Sequence, residues 1–85
     1  MLISGVVQGV GFRWFVERTA NGFGLKGWVK NLYDGTVETY AEGEEGALKG
    51  FLEEIKIGPR SGRVAGVKAN WQEYSGRYDD FRITF

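Results

Sequence analysis

The stretch Gly5-Val6-Val7-Gln8-Gly9-Val10-Gly11-Phe12-Arg13 carries the chain from one kind of local structure into another. Before it, Leu2 and Ile3 open a short, apolar, β-branched run that reads as a buried strand. After it, Phe12, Phe15, Val16, Thr19 and Phe23 recur at the spacing of one helical face. A glycine-spaced loop joins the two, and an arginine stands in the first helical turn. The first N–H groups of a helix have no intrahelical partner and lie at the positive end of its dipole. Glycines beside them let the backbone approach an anion closely, and an arginine adds a planar fork of donors. These are the parts of a phosphate cradle. A tight structural turn is the competing reading, and glycine spacing alone does not decide between them.

Further along, Asn21, Gly22 and Gly24 stop the first helix. Leu25 to Asn31 alternates, with Lys26, Trp28 and Lys30 on one side and Leu25, Gly27 and Val29 on the other, which is strand period. Asp34-Gly35 signals a hairpin turn. Val37, Thr39 and Ala41 then oppose Glu38, Tyr40 and Glu42 in a second strand. Glu44 and Glu45 suit a helix N-terminus, and Leu48, Phe51, Leu52 and Ile55 form its apolar stripe up to Gly58-Pro59. Arg60 to Gly66 is expected to be a loop running into a strand in which Val67, Ala69 and Trp71 alternate with Lys68, Asn70 and Gln72. Phe81, Ile83 and Phe85 make a last short strand. The order β-α-β-β-α-β plus a terminal β is the split βαβ pattern: an α+β sandwich with two helices on one face of an antiparallel sheet. The phenylalanines of the helical stripes belong to the core, while Trp28, Tyr40 and Tyr74 are candidates for the open face of the sheet.

Composition limits the chemistry. The 85 residues suit one small domain spanning 1–85. Eleven basic and eleven acidic side chains cancel, so bulk attraction to nucleic acid or an anionic membrane is not expected. No apolar run is long enough for a signal peptide or a membrane span, which leaves the cytoplasm as the expected location. With no histidine and no cysteine there is no imidazole base, no thiolate nucleophile and no metal site of the kind zinc prefers. The carboxylate pairs Glu44-Glu45, Glu53-Glu54 and Asp79-Asp80 read as solvated helix and turn residues. Any catalysis at the loop must therefore work through positioning and electrostatics.

Topology brings in a second residue. A β-α-β crossover leaves its two strands pointing the same way, and the third strand returns between them. Their C-terminal ends then share one edge, two strand spacings or ~10 Å apart. The first ends in the glycine loop and the second at Asn31, so an amide side chain faces the cradle. Taken alone, Asn31 reads as a turn residue before Leu32-Tyr33-Asp34-Gly35. An arginine, backbone donors and an asparagine can hold a phosphoryl group and orient water, but they cannot protonate a poor leaving group. An acyl phosphate leaves as a carboxylate whose conjugate acid has a pKa near ~4 and needs no such help. The missing residue types thus favour an activated phosphate as substrate.

The run from Gly5 to Arg13 resembles the first signature of the acylphosphatase family. Gly27-Trp28-Val29-Lys30-Asn31, followed by Gly35, Val37 and Gly43, resembles its second. Gly58-Pro59 and the closing Tyr78 to Phe85 also fit, so the resemblance covers nearly the whole chain. It implies a ferredoxin-like sandwich and hydrolysis of acyl phosphates to a carboxylate and phosphate, without metal or cofactor. It implies that Arg13 and the loop amides of Gln8, Gly9, Val10, Gly11, Phe12 and Arg13 bind the phosphate, and that Asn31 orients the attacking water. The expected partners are a small-molecule acyl phosphate and inorganic phosphate as product and inhibitor, with no nucleic acid and no membrane, on a monomer. Fewer residues precede the first signature than is usual in the family, so Met1 is either a late start or a truncation. The alternatives are a non-catalytic ferredoxin-like binding module, which for RNA would need exposed sheet aromatics and a basic surface, or a domain of a larger carbamoyl-transfer or maturation protein. The complete closing strand favours a stand-alone enzyme.

Overall fold

The computed structural model describes residues 1–7, 10–60, 62–71 and 74–84, with the side chains of Val6 and Val10 excepted. The elements follow the order β1 (Leu2–Val6), α1 (Val10–Gly22), β2 (Lys26–Asn31), β3 (Val37–Glu42), α2 (Glu45–Ile57), β4 (Arg63–Lys68) and β5 (Phe81–Ile83). The sheet runs β4-β1-β3-β2-β5. β3 therefore lies between β1 and β2, as the split βαβ reading requires. The pairs β1–β3, β1–β4 and β2–β3 are antiparallel. β5 departs from the antiparallel expectation: it joins β2 in parallel, with Gly27 opposite Phe81 and Val29 opposite Ile83. The sheet is thus mixed, because the chain returns to the outer edge of β2 through the long segment after β4 rather than through a hairpin.

Both helices pack on one face of this sheet. Phe12, Val16 and Ala20 of α1 and Phe51 and Ile55 of α2 meet Ile3, Val29, Val37 and Phe81 from the strands, with Val7 just past β1 and Leu25 just before β2. Alternation along β2 and β3 sends Val29, Val37 and Thr39 into this layer. The α1 stripe ends one turn earlier than its apolar spacing suggests. Gly22 closes the helix, and Phe23 lies outside it at 38% exposure. Its ring rests on α2, where a Cβ at Gly50 would come within 2.6 Å of it. Ala20 takes the inward position instead. α2 starts after an extended Glu44, whose carbonyl accepts from Leu48 N–H at 2.9 Å. It stops at Gly58, whose φ of 77° carries the chain out of the helix.

β4 also begins earlier than the sequence pattern suggests, and residues 69–71 fall outside it, while Gln72 is not among the described residues. The cause lies in β1, which pairs with β3 only at Leu2 and Ile3 and with β4 from Leu2 through Val6. Residues 63–66, which carry no strand pattern of their own, are recruited as the partner of Ser4–Val6. The register shifts between Ser4 and Gly5. Gly5 sits there at φ 124°, and a Cβ would lie 2.1 Å from the Arg63 carbonyl oxygen, so only glycine passes this bulge.

Candidate active site

The C-terminal ends of β1 and β2 share one edge, as expected. Ile3 and Asn31 are both paired with Val37 of β3, which sets their backbones about two strand spacings, ~10 Å, apart. Beyond Ile3 the β1 strand runs on to Val6 and then feeds α1. Because α1 starts at Val10, the residues Val10, Gly11, Phe12 and Arg13 form its first turn. Their N–H groups are the ones a helix leaves without intrahelical acceptors. Gln8 and Gly9, the remaining expected cradle residues, lie outside the described residues.

Each member of that turn has a distinct setting. Phe12 is anchored: its ring is 4% exposed and lies 5.8 Å from that of Phe15. Gly11 is exposed, and a Cβ there would meet no heavy atom within 4 Å. The fold itself therefore does not require glycine at this position. Arg13 is only 7% exposed, which is unusual for a guanidinium. Burial fixes its rotamer and lowers the local dielectric, so its charge acts more strongly than a surface cation would.

Asn31 ends β2. By alternation with Val29, its side chain leaves the strand on the helix face, the side on which α1 and Arg13 stand. Its Oδ1 is buried and has no hydrogen-bond partner among the described residues. An unmatched buried amide oxygen costs about 1–3 kcal/mol, and such groups concentrate where something else is meant to bind. The hairpin that follows holds Asn31 in place. Leu32 N–H donates to Thr36 O at 2.9 Å, and Asp34 Oδ1 accepts from Thr36 N–H at 3.0 Å and Thr36 Oγ1 at 2.6 Å. Those donors, the side-chain hydroxyl first, hold the Asp34 carboxyl below its ordinary pKa. Lys30 points to the opposite face, 3.7 Å from Glu38 and 5.3 Å from the Trp28 ring centre. It is thereby kept away from the Asn31 side.

The open face holds a polar cluster that periodicity did not disclose. Glu42 is 3% exposed and accepts from Tyr40 OH at 2.7 Å, from the Ser75 hydroxyl and N–H, and from Gly76 N–H at 3.1 Å. Burial disfavours its charge, but these donors outweigh that and hold the carboxyl below the usual range. The sequence signal was only one more acidic residue on a polar strand face. Trp28 and Tyr40 do lie on that face, but they are engaged. Their rings stack at 6.4 Å, Tyr78 packs on Tyr40 at 5.3 Å, and Trp28 Nε1–H donates to Tyr78 OH at 3.2 Å. They are not a free platform for stacking bases. Glu42 sits five residues along β3 from Val37, roughly 17 Å away at strand rise, so this cluster is remote from the Arg13–Asn31 edge.

Glu44, Glu45, Glu53, Glu54, Asp79 and Asp80 are all exposed, in keeping with their reading as solvated charges. Among the described residues no three metal-ligating side chains come together, and no helix is long and apolar enough to cross a membrane.

An arginine is buried in the first turn of α1, and an amide side chain with a buried, unmatched oxygen ends β2 on the face that the helices cover. Residues 1–83 match the family model for acylphosphatase. An acylphosphatase of Caldanaerobacter subterraneus subsp. tengcongensis is 49% identical over 95% of this chain and 90% of its own. The crystal structure of acylphosphatase from Bacillus subtilis superposes with a TM-score of 0.94 at 40% identity, over 99% of this chain and 93% of that one. The structure of T.kodakarensis HypF matches 99% of this chain at 33% identity and a TM-score of 0.83, but over only 11% of its own length. The chain belongs to the acylphosphatase family, hydrolases acting on acyl phosphates.

Proposed function

We propose that this chain, acting as a single catalytic domain, binds the phosphoryl group of an acyl phosphate at the start of α1 and delivers a water to it from Asn31. The buried, unmatched Asn31 Oδ1 facing the Arg13 side of the sheet is the observation that carries this reading. Arg13 and the amides from Gln8 to Arg13 hold the equatorial phosphoryl oxygens, and the guanidinium neutralises charge that builds on them during transfer. Asn31 Oδ1 accepts a hydrogen bond from the attacking water and aims a lone pair at phosphorus. The water forms a P–O bond as the P–O bond to the acyl oxygen breaks. The electron pair leaves with a carboxylate, and the water's second proton passes to solvent. A leaving group with a conjugate-acid pKa near ~4 needs no general acid, so the absence of histidine and cysteine is no obstacle.

Recognition rests on the phosphoryl group, so the site should tolerate many acyl groups. Inorganic phosphate should compete for the cradle as product. The chain is expected to act as a monomer in the cytoplasm, with no metal or cofactor. The direct test is hydrolysis of benzoyl phosphate in exhaustive EDTA. Turnover under those conditions supports the proposal. No turnover by folded protein that still binds phosphate points to a binding module, and turnover restored only by Mg²⁺ points to a metal-dependent reaction.

A further inference from the structure

The sheet order β4-β1-β3-β2-β5 puts β2 and β4 on opposite sides of β1. Phosphoryl transfer turns that order into a direction, because the attacking and leaving oxygens stand roughly in line across phosphorus. With water delivered from Asn31, as proposed, attack comes from the β2 side of the cradle. The acyl group must then depart on the β4 side. The fold brings two arginines, Arg60 and Arg63, to that side at the level of the cradle. β4 starts at Arg63, whose partner is Val6, the last residue of β1 before the segment that leads into α1. The bulge at Gly5 fixes this register, since the Arg63 carbonyl oxygen lies 2.1 Å from where a Gly5 Cβ would be. Val64 packs against the core, so by alternation Arg63 leaves β4 on the side free of helices, where it is exposed.

α2 returns to the same edge from the far end of β3. Its end is held against β4, because a Cβ on Gly58 would come within 3.1 Å of Val64 Cγ2. Arg60 follows, exposed, in a turn where Gly62 N–H donates to Pro59 O at 3.4 Å. Arg60 past the helix layer and Arg63 on the open side thus bracket the edge. Neither guanidinium has an ion-pair or hydrogen-bond partner among the described residues, whereas Lys30, Lys49, Lys56 and Arg82 each face a carboxylate. We propose that Arg60 and Arg63 form an acyl subsite that favours acyl phosphates carrying a second carboxylate, the monophosphates of dicarboxylic acids. The proposal rests on the catalytic reading above, which supplies the side from which water comes. A carboxylate matches the planar fork of a guanidinium. At exposed cations it contributes selectivity rather than tight binding, so neutral acyl groups remain substrates.

The probes are para-carboxybenzoyl phosphate and benzoyl phosphate, which share the ring and the leaving group and differ in the far carboxylate. Their kcat/KM values are compared on wild type, on the double variant Arg60→Ala/Arg63→Ala and on Arg63→Glu. Both side chains are exposed and Arg63 pairs through its backbone, so the variants should fold, which circular dichroism checks. The ratio of the two kcat/KM values should favour the carboxylated substrate by roughly fivefold in wild type. It should collapse in the double variant and at high ionic strength, and fall below one in Arg63→Glu. A ratio near one in wild type, or a ratio that the variants leave unchanged, overturns the proposal; the latter would make the arginines general attractors of phosphate. Calorimetric titration with para-carboxybenzylphosphonate and benzylphosphonate, which cannot be hydrolysed, gives a second readout, and equal affinities there also overturn it. Preferential binding of the carboxylated phosphonate without hydrolysis of either acyl phosphate would uphold the subsite and sink the catalytic reading. Equal hydrolysis of both substrates would do the reverse.

Discussion

Asn31 and Ile3 stand level in the sheet, each paired with Val37 from opposite sides. This one register sets the end of β2 against the stretch of β1 that leads into α1, and so relates the Asn31 amide to the first turn that holds Arg13. Arg13 and Asn31 are 18 positions apart in the chain, and nothing local in the sequence relates them.

Replacing Arg13 should remove a fixed cation from the phosphoryl oxygens. Arg13→Ala is expected to lose at least ~3 kcal/mol of transition-state stabilisation, about a hundredfold or more in kcat/KM. Arg13→Lys should not rescue it, because a point charge does not reproduce the guanidinium fork. Steady-state kinetics on variants whose circular dichroism matches wild type decide the matter. Near-native activity in either variant removes Arg13 from the cradle.

Asn31→Ala separates chemistry from binding. If Asn31 orients the attacking water as proposed, it contributes only once attack begins, so kcat should fall steeply while the affinity for inorganic phosphate stays close to wild type. Because Asn31 Oδ1 is buried with no partner among the described residues, its removal relieves an unmatched polar group and should leave the melting temperature unchanged or raise it. A large drop in melting temperature with normal kcat would make Asn31 a turn residue and nothing more.

Gly11 and Gly27 should respond in opposite ways to alanine. Gly27 has φ 144°, and a Cβ would lie 1.8 Å from the Tyr40 carbonyl oxygen. Gly27→Ala must displace β2 from β3, at a cost of about 3 kcal/mol or more in stability. Gly11 has open space around its Cβ position and lies in a helix, so Gly11→Ala should raise stability by about 0.5–1 kcal/mol. If the cradle lies at this turn, the same methyl group obstructs the phosphate and lowers kcat/KM. Thermal melts and kinetics on the pair test both statements, and a fully active Gly11→Ala would move the phosphate elsewhere.

Glu42 should make stability sensitive to acid. Its carboxyl is held below the usual range in the folded state, so the folded protein binds a proton there less readily than the unfolded chain. The resulting stabilisation is complete above the unfolded carboxyl pKa and is lost as pH falls through the folded value. Melting temperature against pH should therefore decline on the acid side, and Glu42→Gln should show a shallower decline. Parallel curves for the two proteins would show that the Ser75 and Gly76 donors do not stabilise the charge.

Period and punctuation in the chain were enough for both helices and the central hairpin. Apolar residues at helical spacing place α1 and α2, alternation places β2 and β3, and Asp34-Gly35 places the hairpin, because each pattern reflects contacts made within a few residues. The split βαβ order followed from handedness and connection rules, and it already put Asn31 at the same edge as the start of α1. The length of β4, the parallel entry of β5 and the outward position of Phe23 were decided elsewhere: by the partner that β1 needs after Ile3, by the free edge of β2 and by the space above Gly50. The same holds for Glu42, whose burial depends on Ser75 and Gly76 arriving from 33 and 34 residues away. Local sequence carries the period of an element, but hydrogen-bond partners across a sheet are set by register. Register is a property of two strands at once, so only the assembled structure could show that Val37 joins Ile3 to Asn31.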